Sequence, residues 1–449
     1  MSAALLYACT FVRAFVQHRW GFRFKTRAAL LDFQQRQIRS FLRVAGQARF
    51  YQARRSLSLH ELPIVDKSTM LAAFADFNTA GISLEGARAV ALAAESSRDF
   101  NSTLPQGVTV GTSSGTSGRP NLFLVTARER SRWAGAILGR MLSPQSFARI
   151  INPLVRPLRI AFFLRANSNL YSSLDGWRIR FRFFDLVRPV DVHLAALTDY
   201  QPDVLVAPAS VLRHIAECQE RRQIAIQPQQ VINVAECLEP DDSELIARTW
   251  GRPPQQIYQC TEGVLGFSCA AGSIHLNEQC VYFEPQWLDD EHERFSALIT
   301  DFSRSAQMFI RFRMDDILHM NLEPCVCGRV SLRLHSVEGR QDDVLWLPSV
   351  HGNGLKPVFP DQIRRAVMLA DTQCSDYRIE QDGLILKIAA ANPGPNDADS
   401  ISSALTELFT AFDLQLPCIE QSTWRAQHSI NKRRRIRCAS KPRPMERSA

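Results

Sequence analysis

The chain has 449 residues, of which 45% are hydrophobic and 22% charged, which excludes a disordered or fibrous chain and leaves room for two or three domains. The formal net charge of +8 is modest, with much of the excess at Arg13–Arg55 and Lys432–Arg447. It suits an anionic small ligand as well as a nucleic acid, but no basic strip interleaved with aromatics marks a single-stranded nucleic-acid surface. The eleven cysteines are odd in number and scattered, a pattern of reduced thiols or metal ligands rather than of a disulfide framework.

The apolar start, Met1 to Val12, is broken by Arg13 before a bilayer is crossed, and no cleavage site follows a basic region. A cytoplasmic protein without stable membrane insertion is expected. A helix carrying Leu5, Phe11, Val12, Phe15 and Val16 has two possible fates, the chain's own core or a membrane interface, and core packing is the expected one. Leu30, Leu31, Phe33, Ile38, Phe41, Leu42 and Phe50 then recur at helical spacing, so residues 1–60 read as a helical lead-in. Leu62-Pro-Ile-Val begins strand-like and ends in a helix cap at Asp66 or Ser68.

From about residue 108, short apolar runs alternate with helix-like segments: 122–125, 160–164, 204–207, 230–234 and 256–258. This reads as an α/β domain with a largely buried sheet, ligands sitting at the strand ends. Beyond Val337–Leu345 the pattern restarts, so residues 61–341 form the large domain and 342–449 a small second one.

Gly111-Thr-Ser-Ser-Gly-Thr-Ser-Gly-Arg-Pro120 carries glycines 111, 115 and 118, which allow tight turns and close approach to a polyphosphate. The hydroxyls of Thr112, Ser113, Ser114, Thr116 and Ser117 add donors. The alternative is a flexible linker. No Gly-Lys-Ser/Thr follows, so it is not a Walker A loop.

This loop resembles the phosphate loop of the adenylate-forming superfamily of acyl-CoA synthetases and related ligases. Three more segments agree in order: Tyr258-Gln-Cys-Thr-Glu262 resembles Tyr-Gly-x-Thr-Glu, Ile310-Arg-Phe-Arg-Met-Asp-Asp-Ile resembles Ile-Arg-Tyr-Arg-x-x-Asp-Ile, and Gly339-Arg-Gln-Asp-Asp343 resembles the hinge Gly-Arg-x-Asp-Asp. Within the superfamily the likeness is to phenylacetate-CoA ligases and to methanogen enzymes that adenylylate a deazaflavin coenzyme. The resemblance implies a large N-terminal α/β domain with mixed sheets and a small mobile α+β lid. It implies ATP, Mg²⁺ and coenzyme A as cofactors, and a small carboxylic acid as substrate, with no nucleic-acid partner.

It also implies roles. Glu262 holds Mg²⁺ through a hard oxygen, Thr261 donates to the α-phosphate, Tyr258 lies on adenine and Asp316 accepts from ribose hydroxyls. Ala235 and Glu236 border adenine, Arg340 touches ribose or α-phosphate, and Asp342 is the hinge whose torsions change as the lid rotates. Lys432 completes the adenylation site by placing a cation on developing charge; a solvated basic tail is the alternative, and it weighs more for the arginines after it than for Lys432. Two departures stand out: Arg119 and Asn121 lie where the loop usually has a lysine, and Gln259 replaces a glycine. Arg165 or Asn167, after the run at Phe162, would border the carboxylate substrate; a buried strand with an ordinary cap is the alternative.

Cys325-Val-Cys327 with Cys269 and His275 can complete a Cys₃His tetrahedron for a structural Zn²⁺, with Cys280 as an alternative ligand; reduced, unliganded thiols are the competing reading. No Ser-His-Asp ordering stands out. The expected activity is formation of an acyl-adenylate with pyrophosphate release, then acyl transfer to coenzyme A. An adenylyltransferase acting on a cofactor hydroxyl, an amide-forming ligase and an inactive scaffold remain as alternatives.

Overall fold

The computed structural model describes residues 3–54, 56–99, 104, 107–112, 122–164, 175–351, 354–370, 372, 374, 376–394, 396–425 and 434–442. The chain divides into two compact units, Met1–Met314 with Met320–Ser336, and Asp315–His319 with Val337–Ala449. The expected helical lead-in is not a unit of its own. Leu30, Ile38 and Phe41 of helix Arg27–Ala45 are buried, Arg27 pairs with Glu278 at 2.7 Å, and Gln34 Nε2 donates to the Glu278 carbonyl at 2.9 Å.

The first unit opens its sheet-forming region with a hairpin, β1 (Val108–Thr112) and β2 (Leu122–Thr126). The main sheet then runs through β3 (Leu158–Leu164), β4 (Ile179–Asp185), β5 (Val204–Ala207), β6 (Gln230–Val234) and β7 (Gln255–Gln259). Their spatial order is β4-β3-β5-β6-β7, all parallel. β8 (Val264–Ser268) and β9 (Ile274–Leu276) extend it antiparallel. All four residues of β5 are apolar and buried, as a parallel strand covered on both faces requires. Alternation in β3 separates two cores: Ile160 and Phe162 join Trp133, Met141 and Ile232, whereas Ala161 and Phe163 join Leu212, Ile215 and Trp250.

Because β3 has β4 on one side and β5 on the other, the winding reverses between β3 and β5. Such a reversal opens a crevice at the carboxyl ends of the strands, where the turns after β5, β6 and β7 emerge. The cap expected near residue 66 is Asp66, whose carboxylate accepts from the Thr69 N–H at 2.7 Å at the start of helix Lys67–Ala72.

In the second unit, strand Asp376–Asp382 pairs antiparallel with Ile385–Ala391 and parallel with Ile436–Ser440. Helices Pro360–Leu369 and Asp397–Ala411 share its core through Ile363, Val367, Leu405 and Phe409. This is the small α+β domain expected. Among the described residues no helix is long and apolar enough to cross a membrane.

Candidate active site

Of the loop-forming residues, Gly111 and Thr112 close β1 in antiparallel pairing with Phe123 and Leu122. Ser113, Ser114, Gly115, Thr116, Ser117, Gly118, Arg119, Pro120 and Asn121 lie outside the described residues, as do Arg165, Asn167 and Lys432. Gly111 corrects the sequence reading: it is a strand residue rather than a turn, and a Cβ there would stand 2.1 Å from the Phe123 ring. Its role is to let an aromatic side chain lie across the strand. Thr112 Oγ1 donates to Glu95 at 3.3 Å. Both backbone groups of Leu124 in β2 are held by side chains: its N–H donates to Gln307 Oε1 at 2.9 Å and its carbonyl accepts from Arg304 Nη2 at 3.0 Å.

The turns after β6 and β7 carry the next set. Ala235, directly after β6, sits in the left-handed region at φ 65°, an uncommon conformation for a residue with a Cβ. Asn233 holds that turn by donating from Nδ2 to the Glu236 carbonyl at 2.9 Å, and the Glu236 carboxylate accepts from the Ser210 N–H at 2.9 Å. Glu236 therefore bridges the turn after β6 to the first turn of helix Ala209–Glu220.

Tyr258 lies in β7 opposite Gly266 of β8, where a Cβ would come within 3.4 Å of the Tyr258 Cβ. In the turn between β7 and β8, Thr261 Oγ1 donates to Glu262 Oε2 at 2.7 Å, and Glu262 is only 8% exposed. The turn rests on a residue that the sequence reading missed, Asp301. A Cβ on Gly263 would stand 2.8 Å from Asp301 Oδ2, while Asp301 Oδ1 accepts from Ser303 N–H at 2.9 Å and Ser303 Oγ at 2.6 Å. Burial pushes the Asp301 carboxyl up to about 6, against the pull of Arg304 and Ser303. The available signal was an acidic residue closing the apolar run Phe295–Thr300 ahead of Ser-Arg-Ser, a turn with side-chain donors to spare.

In the second unit, Asp316 begins strand Asp316–Asn321, and Arg340 Nη2 contacts the neighbouring Asp315 at 2.7 Å. Asp342 pairs with Arg340 at 3.5 Å and with Arg434 at 2.8 Å, and Arg434 also pairs with Asp343. Burial opposes the charge on Arg340, but Asp342, Asp315, Asp316 and Asp343 together raise its pKa above the ordinary value. Arg434 and Arg435 are not part of a solvated tail. Arg434 is drawn into the hinge motif, and Arg435 pairs with Asp376 at 2.8 Å and stacks on Tyr377. Ile436–Ser440 continues as a strand.

The four proposed metal ligands come together in the first unit. Cys269, His275, Cys325 and Cys327 place their sulfurs and an imidazole nitrogen within 4.8 Å of one another. Cys269 Sγ lies 3.7 Å from Cys325 Sγ, and Cys327 Sγ lies 3.4 Å from His275 Nε2. His275 Nδ1 faces the Ser331 carbonyl at 3.1 Å, which fixes the ring with Nε2 toward the sulfurs, the usual support of a metal-bound histidine. Burial raises the Cys327 thiol to about 12. Burial acts on Cys325 in the same sense, yet hydrogen bonds from the Cys327 backbone, His275, Cys327 and Cys269 hold it down at about 6. Three cysteine sulfurs and one imidazole nitrogen drawn together in this way fit Zn²⁺, whose binding would deprotonate the thiols. Cys280 is not part of it: its sulfur stands 3.7 Å from His18 Nε2.

No family model matches the sequence, and no curated protein does. Solved structures do match. The chain is similar to 2-hydroxyisobutyryl-CoA ligase in the postadenylation state in complex with 2-HIB-AMP, with a TM-score of 0.60 at 16% identity over 92% of this chain and 88% of that one. An open conformation of the same ligase with 2-HIB-AMP and CoA gives 0.54 at 15% identity, over 92% and 91%. The amide bond synthetase McbA from Marinactinospora thermotolerans gives 0.51 at 13% identity, over 75% and 68%. Likeness at such identities shows the fold, and the fold is that of the adenylate-forming ligases.

Proposed function

We propose that the protein activates a carboxylic acid with ATP, forming an acyl-adenylate and releasing pyrophosphate, and then passes the acyl group to coenzyme A. The observation that carries this reading is the turn after β7, where Thr261 and Glu262 lie side by side on a buried support at the carboxyl edge of the parallel strands. A mostly buried carboxylate with a hydroxyl on it is a hard-oxygen pair, suited to Mg²⁺ at one atom and a phosphate oxygen at the other. Mg²⁺ bound at Glu262 would neutralise charge on the phosphates.

The remaining roles follow the resemblance in the sequence. Tyr258 would stack on adenine, with Ala235 and Glu236 at its rim. Asp316 would accept from ribose and Arg340 would contact ribose or the α-phosphate. Thr112 and the loop that follows would cradle the distal phosphates. Lys432 would stabilise charge as the carboxylate attacks the α-phosphate, and Arg165 or Asn167 would orient the acid. The hinge assignment of Asp342 draws support from its pairing with two arginines, Arg340 and Arg434, since rotation about it would exchange those pairs. The Cys₃His cluster would hold a structural Zn²⁺ that pins the loops bearing Cys269 and Cys325.

The solved structures of similar fold include both an acyl-CoA ligase and an amide bond synthetase, so an amine acceptor is the second reading. Mass spectrometry of products formed from ATP and a panel of aryl and aliphatic acids, with and without coenzyme A, tests the proposal. A thioester formed only when coenzyme A is present is expected. An acyl-AMP that persists with coenzyme A and disappears with an added amine would transfer the assignment to amide synthesis, and AMP attached to a hydroxyl would transfer it to an adenylyltransferase.

A further inference from the structure

Helix Ala3–Val16 is apolar on two sides. On one side Phe11 and Phe15 pack on the core around Trp133, and helix Ala127–Met141 approaches so closely that a Cβ on Gly135 would stand 2.3 Å from the Phe11 carbonyl. The other side is a stripe of Leu5, Val12 and Val16, continued by Trp20, that are 51%, 57%, 44% and 44% exposed. Spacings of seven, four and four keep these residues on one helical face, so the stripe is a continuous apolar ridge. Trp20 rests edge-on against Phe15 and Phe147, and about half of each side chain in the stripe is left for something else to cover.

Charge chooses what does. Residues 1–55 hold eleven Lys and Arg against the single acid Asp32, a net +10, whereas the remainder of the chain is net −2. Arg13 lies beside the stripe, and Arg23 and Lys25 follow Trp20, all three exposed. A second copy of the chain would bring Arg13, Arg23 and Lys25 toward the same cations of its partner along the stripe. A nucleic acid would meet the arginines but leave the ridge in water. An anionic lipid surface satisfies both, taking apolar side chains at the acyl boundary and arginines at the headgroups. The helix, 14 residues and so ~21 Å long, is too short to span about 30 Å of hydrocarbon. It would therefore lie in the interface plane.

We propose that the face of helix Ala3–Val16 bearing Leu5, Val12 and Val16, continued by Trp20 and flanked in sequence by Arg13, Arg23 and Lys25, docks the enzyme on an anionic membrane surface. The consequence is a soluble catalytic fold held where amphiphilic carboxylic acids partition.

Flotation of the full-length protein with vesicles tests this, using phosphatidylcholine alone and an equimolar mixture with phosphatidylglycerol. Two double variants accompany it: Val12→Glu with Val16→Glu, and Arg13→Glu with Arg23→Glu. Wild type should float with the anionic vesicles only, and less so as salt rises. Each double variant should lower the bound-to-free ratio by at least about tenfold while keeping its melting temperature. No flotation with anionic vesicles, equal flotation with neutral ones, or flotation unchanged in both variants overturns the proposal. A dimer by light scattering that the Val12/Val16 pair dissolves would overturn it in favour of self-association.

Discussion

Replacing Gly263 by alanine strikes the turn that carries Thr261 and Glu262. The new Cβ would lie 2.8 Å from Asp301 Oδ2, short of an ordinary contact of about 3.5 Å. Asp301 cannot swing aside cheaply, because it is buried and Ser303 holds its other oxygen through two hydrogen bonds. The turn must move instead, by several tenths of an ångström. Overpacking of this size costs about 1–3 kcal/mol of stability. Misplacing a reacting group by about 1 Å costs roughly a hundredfold in rate, so a ten- to hundredfold loss is expected. Pyrophosphate exchange and thermal melting, measured on the same preparations, check both numbers. Asp301→Ser should restore part of the activity when added to Gly263→Ala, since it removes the opposing oxygen. If Gly263→Ala alone stays within about twofold of wild type and melts unchanged, Asp301 does not support the turn and the reasoning fails.

Asp301 also predicts a pH effect. Its folded-state pKa is raised from 3.8 to about 6, so its contribution to stability is complete below 3.8 and is lost as pH rises through about 6. The loss, ~3 kcal/mol, should vanish from stability-versus-pH curves of Asp301→Asn; curves that superimpose with wild type would contradict the assignment. Asp66→Ala removes a helix cap and should cost about 0.5–2 kcal/mol by denaturant unfolding. Hydrogen bonds from the Thr69 backbone, Thr69 and Ser68 hold the Asp66 carboxyl down at about 2, so this contribution is present above 3.8 and disappears as pH falls through about 2. Cys327→Ser should abolish stoichiometric zinc by elemental analysis and lower the melting temperature by at least about 5 °C; full zinc occupancy in that variant would exclude the Cys₃His site.

The parallel strands were legible because buried strands read as short runs of Val, Ile, Leu and Phe. The expected runs 204–207 and 230–234 coincide with β5 and β6, and 160–164 falls within β3. The Cys₃His cluster was legible from residue type and order, although 56 residues separate Cys269 from Cys325. What the sequence hid depends on contacts across the chain. Gly111 looks like a turn residue until Phe123 is seen lying opposite it. Asp301 becomes a support only when the strand ending in it comes to rest beneath Gly263. Arg434 belongs to a basic run whose periodicity says only that it is charged; its pairing with Asp342 and Asp343 joins segments some ninety residues apart.

Glu262 is the residue on which the proposed adenylation most depends. Exchange of labelled pyrophosphate into ATP, dependent on an added carboxylic acid and Mg²⁺, should be measurable in the intact protein. It should fall at least about a hundredfold in Glu262→Gln, with the melting temperature unchanged. An intact protein that exchanges no label with any acid of a broad aryl and fatty-acid panel, or a Glu262→Gln variant that exchanges as well as wild type, would contradict it.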